Sequence, residues 1–200
     1  MDKKNGKILL ALALPALAAG VWAFMATDQN LQTAYSAELN VKLRYEAFAA
    51  KADEENHPGP AALFRALAFS EGIHAANLAK AITAAGGDPL ESVAAYEVKD
   101  TEENLKEGLR MEEDEIGRVY PSYLMQAAAD GNDQAATSFK WELASERGHS
   151  ALLTEMLGRP GEWKTRSAYL ICRTCGYTTN DLSLSKCPSC SHPREDFVLM

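Results

Sequence analysis

A mainly α-helical fold is predicted: a four-helix bundle, a small cysteine-bound domain after it and an apolar segment before it. Three observations predict it. A short pattern occurs twice, as Glu71-x-x-His74 and Glu146-x-x-His149. Four amphipathic stretches each carry a carboxylate in the middle of the apolar stripe, where a lone charge is costly to bury. All four cysteines fall in the last thirty residues, as two C-x-x-C pairs.

The bulk properties allow one medium domain plus a small one in 200 residues. The composition, 46% hydrophobic and 24% charged, is that of a globular protein. A net charge of −8 with no basic patch excludes a nucleic-acid partner.

Residues 1–27 stand apart. Lys3, Lys4 and Lys7 precede an uncharged run from Ile8 to Thr27. That length is about enough for a helix to cross a bilayer, and Pro15 and Gly20 are tolerable there. A cleaved signal peptide is the competing reading, with Ala16-Leu17-Ala18 as the cleavage site, but it leaves apolar VWAFMA on the mature chain. An uncleaved anchor is expected, with the basic flank in the cytoplasm and the globular part, periplasmic or extracytoplasmic, beyond it.

Residues 28–161 hold the four helices. The first is expected over about 29–55, capped by Asp28 or Asn30 and ended by Asn56-His57-Pro58-Gly59-Pro60; His57 is expected to be a solvent-exposed loop residue. The second spans about 60–85 and stops at Gly86-Gly87-Asp88-Pro89. The linker Leu90 to Asp100 is too long for a tight hairpin, so it should cross the bundle. The third spans about 101–129, with Glu102 and Glu103 favouring its N-terminal dipole and Pro121 kinking it. The fourth runs over about 133–157, between Asp130-Gly131-Asn132 and Gly158-Arg159-Pro160-Gly161.

The stripes carry the chemistry. They read Leu31, Tyr35, Glu38, Val41, Tyr45, Phe48; then Phe64, Leu67, Glu71, His74, Leu78, Ile82; then Leu105, Leu109, Glu112, Glu115 or Ile116, Val119, Tyr123; and finally Phe139, Leu143, Glu146, His149, Leu153, Leu157. Residues three apart on a helix share a face, so each Glu projects with its His. A metal ion pairs with such buried charge. One Glu from each of two helices plus Glu-x-x-His from each of two others is the ligand set of a di-iron carboxylate bundle. Residues 168–200 hold Cys172-x-x-Cys175 and Cys187-x-x-Cys190, four thiolates that close a tetrahedral site for zinc or for one iron. His192 need not bind anything there.

From about Leu31 to Met200 the chain resembles rubrerythrin, a ferritin-like di-iron bundle fused to a rubredoxin-like domain. The resemblance rests on Asn30-Leu31-x-Thr33-Ala34 leading to Glu38, on Arg44-Tyr45, and on both Glu-x-x-His pairs. It rests further on Glu102-x-Asn104-Leu105-Lys106 leading to Glu112-x-x-Glu115, on Tyr120-Pro121, and on CRTCGY and CPSCSHP.

The resemblance implies two non-haem irons in the bundle. Glu38, Glu71, Glu112 and Glu146 are then carboxylate ligands, Glu71 and Glu146 bridging, and His74 and His149 the nitrogen ligands. Glu115 is implied as a carboxylate that exchanges with His74, and Tyr45 and Tyr120 as catalytic tyrosines beside the site. Cys172, Cys175, Cys187 and Cys190 are implied to hold one relay iron. The implied activity is reduction of hydrogen peroxide, with electrons from a donor protein crossing between subunits of a homodimer. The acidic run Glu112-Glu113-Asp114-Glu115 and the N-terminal segment depart from the family pattern. An anchored iron-binding or electron-transfer protein, or a ferroxidase, are the alternatives.

Overall fold

The computed structural model describes the backbone of residues 15–200 and side chains from residue 26. Five helices and a three-stranded sheet follow in order: α1 (Pro15–Glu54), α2 (Pro58–Ala84), α3 (Thr101–Asp114), α4 (Tyr120–Ala129), α5 (Asp133–Gly158), β1 (Leu170–Cys172), β2 (Thr178–Thr179) and β3 (Phe197–Leu199). α3 and α4 are joined by a π-helical turn, Glu115–Val119, so the four rods of the bundle are α1, α2, α3–α4 and α5.

Three expectations change. The first helix is already formed at Pro15, the first described residue, instead of starting near Gln29, so neither Asp28 nor Asn30 caps it. Helix-forming residues run unbroken between Pro15 and Asp28 save for Gly20, so nothing in that stretch ends the helix. The expected anchor, 8–27, lies outside the described residues up to 14, and its side chains up to 25; among the described residues no helix is long and apolar enough to cross a membrane. The third helix keeps its span, 101–129, but a π-helical turn ahead of Pro121 interrupts its α-helical ladder. The Tyr120 N–H bonds the Glu115 carbonyl, five residues back, and Pro121 opens α4, where its missing donor costs nothing. Third, His57 is half-buried, with its ring edge-on to Trp163 at 5.1 Å. The chain after α5 folds back over the start of α2 and covers it.

The crossover runs extended along α1. Gln32 Nε2 donates to the Asp88 carbonyl (2.7 Å), Ser36 Oγ to Leu90 (2.9 Å) and Asn40 Nδ2 to Ser92 (2.6 Å). These three residues recur every fourth position, one polar stripe on the helix, so the linker's carbonyls are satisfied without a sheet. Asp100 then caps α3 by accepting from the Glu103 N–H at 2.9 Å.

The apolar core lies in two clusters. One gathers Tyr45, Phe48, Phe64, Leu67, Leu105 and Leu153; the other gathers Leu31, Tyr35, Leu78, Ile82, Tyr120 and Phe139. On α1, α2 and α5 the carboxylates and histidines sit between the segments feeding the two clusters. A polar belt therefore crosses the middle of the bundle, held from both ends by packed aliphatic and aromatic side chains. In the C-terminal domain the antiparallel order is β2-β1-β3, pairing Leu170 with Thr179 and Cys172 with Phe197.

Candidate metal centres

The belt holds six buried carboxylates, Glu38, Glu71, Glu112, Glu115, Glu142 and Glu146, and two fully buried histidines, His74 and His149. His74 Nδ1 lies 2.8 Å from Glu71 Oε2, 3.0 Å from Glu146 Oε1 and 3.5 Å from Glu38 Oε2. His149 Nδ1 lies 2.6 Å from Glu146 Oε2, 3.2 Å from Glu71 Oε1 and 3.6 Å from Glu112 Oε2. Glu71 and Glu146 thus turn one oxygen to each histidine, while Glu38 serves one half and Glu112 the other. Two groups of ligand atoms result, Glu38–Glu71–His74–Glu146 and Glu71–Glu112–Glu146–His149, each within 4.8 Å.

These donors fit a pair of metal ions. Glu38 Oε2, Glu112 Oε2, both oxygens of Glu71 and of Glu146, and both Nδ1 atoms converge fully buried without a hydrogen-bond partner. Buried polar atoms in such numbers are tolerated only when something else satisfies them. Four ligand carboxylates carry about four negative charges, which two divalent cations cancel.

Without cations, protons take that role. Burial, with the charges of Glu71 and Glu146, pushes the Glu38 carboxyl up to about 8 against the pull of His74. Burial likewise holds Glu112, Glu115 and Glu142 well above the usual carboxylate range. Burial opposes a charge on either histidine, but Glu146 beside His74, and Glu71 and Glu146 beside His149, outweigh it and raise both. Glu146 is lowered: burial works against it, and the two histidines win.

Each terminal carboxylate is oriented by a tyrosine from another helix. Tyr120 Oη donates to Glu38 Oε1 and Tyr45 Oη to Glu112 Oε1. Burial, then neighbouring carboxylates, keeps both phenols well above their usual pKa, so both remain donors. The halves are near-symmetric, with one difference. Glu38 and Tyr45 are seven residues apart, two α-helical turns; Glu112 and Tyr120 are eight apart. The π turn absorbs the extra residue and brings Tyr120 back over the belt.

The structure brings together Glu38, Glu71, His74, Glu112, Glu146 and His149, and sets Tyr45 and Tyr120 against them. Glu115, on the π turn, is buried but belongs to neither group of converging atoms. Its neighbour Ile116 is only half-buried, which settles the third stripe in favour of Glu115. Glu142 was not expected. It lies one turn before Glu146, fully buried, with neither oxygen partnered. The i, i+4 spacing to Glu146 is the signal that finds it; the apolar Leu143 drew the stripe one position away.

In the C-terminal domain the four sulfurs close on one point: Cys172 and Cys190 Sγ are 3.5 Å apart, as are those of Cys175 and Cys187. Hydrogen bonds from Cys175 and Cys187 hold the Cys172 thiol well below the usual range, while its bond to Cys172 pushes Cys175 up; burial pushes Cys190 up to about 12. His192 Nδ1 sits 3.2 Å from Cys190 Sγ, beside the sulfur and outside the four-sulfur group.

The Rubrerythrin family profile matches residues 29–157, and the profile for the rubrerythrin rubredoxin-like domain matches 171–198. Rubrerythrin-2 of Clostridium acetobutylicum is 29% identical over 174 residues, 86% of this chain and 95% of that one. A putative rubrerythrin of Methanocaldococcus jannaschii is 30% identical over 185 residues, 86% of this chain and 91% of its own. Among solved structures, fully reduced, all-ferrous nigerythrin superposes with a TM-score of 0.81 at 27% identity, covering 87% of this chain and 86% of that one.

Proposed function

The chain belongs to the rubrerythrin family, with its two-iron bundle and four-cysteine domain, and from that premise we propose that it is a non-haem di-iron peroxidase. It would reduce hydrogen peroxide to water, drawing electrons from a donor protein through an iron at the four cysteines. The observation that carries this reading is the close contact between the thiolate knuckle and the belt: Gly176, next to Cys175, packs so closely on His74 that a Cβ there would run into Nε2. Storage needs no such dedicated electron entry.

When bound, the iron pair supplies two electrons and exchangeable coordination positions, and the thiolate iron supplies electrons singly. The residues do the rest. Tyr120 and Tyr45 hold the terminal carboxylates in one orientation through a change of charge between them. Glu115 stands just outside the ligand atoms, at the one place where the helix is locally rewound, free to move in. Glu142 holds a proton beside the Glu38–His74 half, raised by burial first and by the Glu38 charge second. Peroxide reduction consumes two protons for two electrons, and a protonated carboxyl inside the closed belt is their nearest source. The two apolar clusters keep bulk water out.

The direct test couples NADH oxidation to peroxide consumption through a surrogate reductase, beside oxygen uptake on adding Fe(II). Peroxide-dependent turnover is expected. Oxygen uptake with no peroxide turnover would favour a ferroxidase. Cys175→Ser should abolish steady turnover yet leave one rapid oxidation of the pre-reduced bundle. Wild-type turnover in that variant would make the cysteine site purely structural.

We also propose that the N-terminal segment holds the chain at a membrane, with the globular part outside the cytoplasm. Supporting it are the twenty uncharged residues from Ile8 to Thr27 and the three lysines before them. Fractionation, protease treatment of spheroplasts and N-terminal sequencing test it. A soluble chain beginning at Ala19 would mean a cleaved signal, and protection from protease would reverse the orientation.

A further inference from the structure

On α5 the belt continues one turn past its ligands. Glu142, Glu146 and His149 stand four and then three residues apart, on one face of the helix. Glu142 is 1% exposed, and neither of its oxygens has a hydrogen-bond partner. Among the described residues, two other carboxylates have both oxygens buried and unpartnered: Glu71 and Glu146, the pair shared by the two metal groups. The other Glu-x-x-His helix carries nothing equivalent. Four residues before Glu71 stands Leu67, packed into an apolar cluster. Glu142 therefore breaks the near-symmetry of the two halves.

Its surroundings say which half it serves. After burial, the charges that bear on it most are those of Glu38, His74, Glu146 and Glu71. Those four residues are the complete ligand group of one half. The phenol of Tyr120, which donates to Glu38 Oε1, feels burial first and then the charges of Glu38, Glu142 and Glu115. Carboxyls from α1, the π turn and α5 thus gather at one end of the belt.

The charge of the belt gives this crowding a use. Its four shared and terminal ligand carboxylates balance two divalent ions, and its six buried carboxylates balance two trivalent ones. A buried carboxylate without a partner is costly, and a hard oxygen donor is suited to a hard, highly charged cation.

We propose that Glu142 is a metal ligand held in reserve: it stays off a divalent ion in the Glu38–Glu71–His74–Glu146 half and binds a trivalent ion there. The two roles of this side chain alternate. The carboxyl that holds a proton beside a divalent ion releases it and becomes the carboxylate that binds a trivalent one. An iron pair presents both conditions, as ferrous and as ferric ions. The assignment rests on the two-metal bundle and not on peroxide turnover.

The test uses the full chain with zinc(II) and with gallium(III), a redox-inert ion of ferric charge. Equilibrium dialysis against a competing chelator, followed by metal analysis, gives the affinity of the bundle for each. Glu142→Gln keeps the volume of the side chain and removes its charge. It should weaken gallium binding by at least about tenfold, the scale on which even the outer partners of metal ligands act, and leave zinc binding unchanged. Glu142→Leu should give the same contrast, and it serves if circular dichroism shows the amide variant unfolded. Crystals of the gallium-loaded wild type should show a Glu142 oxygen bonded to the ion that Glu38 and His74 hold. Crystals of the zinc-loaded wild type should show it unbonded. Equal weakening of both ions would mean that Glu142 acts through the fold, and would overturn the proposal. Wild-type gallium affinity in the variants, or Glu142 unbonded in the gallium crystals, would overturn it as well. Neither ion carries electrons, so none of these outcomes touches the peroxidase reading. Absence of peroxide turnover with these results intact would sink that reading alone.

Discussion

At the scale of single residues, the belt asks more of its hydrogen bonds than of its apolar contacts. Tyr120 donates to Glu38 Oε1 and orients that carboxylate, whose Oε2 faces the metal-binding atoms. Tyr120→Phe removes a donor to a buried carboxylate, which costs roughly 1–3 kcal/mol. The loss should show in urea unfolding of the iron-loaded protein, together with weaker binding of the second metal equivalent. Glu142 should behave in the opposite way. Its carboxyl is buried with no partner, and a buried polar group left unsatisfied costs about 1–3 kcal/mol, a cost an apolar residue of similar volume does not carry. Glu142→Leu should therefore stabilise the chelator-treated protein, while slowing peroxide turnover if the carboxyl supplies protons. Destabilisation on that substitution would mean that Glu142 is satisfied in a way its surroundings do not show.

At the scale of elements, the π turn is the piece of local structure that function has shaped. Within an α-helix, residues five apart point about 140° away from each other. The Tyr120-to-Glu115 backbone bond removes that offset, and both side chains reach the belt. Deleting Gly117, an exposed position with no heavy atom near its Cβ direction, should return this stretch to plain α-helix and the Glu–Tyr spacing to that of α1. The fold should survive within about 2 kcal/mol, and the two-metal site should still load. Glu115 should lose its inward position and peroxide turnover should drop. Circular dichroism, metal analysis and the coupled assay check the three parts. The four rods and the carboxylate stripes were legible because burial repeats with the helical period, and a Glu or His inside an apolar stripe is conspicuous. The π turn was not, because proline reads the same at a kink and at a new helix start. The start of α1 was missed because Asp28 is a good cap in isolation, yet the helix already formed upstream needs none. The Ser70 hydrogen bond to the Gly176 carbonyl was invisible in sequence, since it exists only once a separation of 106 residues closes.

At the scale of the whole molecule, stability and metal content are linked. In the metal-free chain Glu38 titrates near 8 against an ordinary 4.5. Between those values the folded state binds more protons than the unfolded state, so stability falls as pH rises. Glu112, Glu115, Glu142 and the two histidines are shifted in the same direction. Glu146 is shifted the other way, but its effect lies below pH 4.5, as acid is added. Chelator-treated protein should therefore melt lower at pH 8 than at pH 5.5. The loaded protein should not, because the cations have already displaced the protons and metal binding itself strengthens with pH. Differential scanning calorimetry at the two pH values, with and without metal, decides this; equal melting temperatures in the chelated samples would contradict it.

Anaerobic titration of the fully reduced, iron-loaded protein with hydrogen peroxide, followed in the visible spectrum, tests the central claim most directly. A bundle iron pair and one thiolate iron hold about three electrons per chain, so oxidation should end near 1.5 equivalents of peroxide. Ferric-thiolate bands should rise as part of the same fast process. A colourless protein carrying only zinc at Cys172, Cys175, Cys187 and Cys190, or an iron-loaded bundle that peroxide oxidises no faster than oxygen does, would contradict the account.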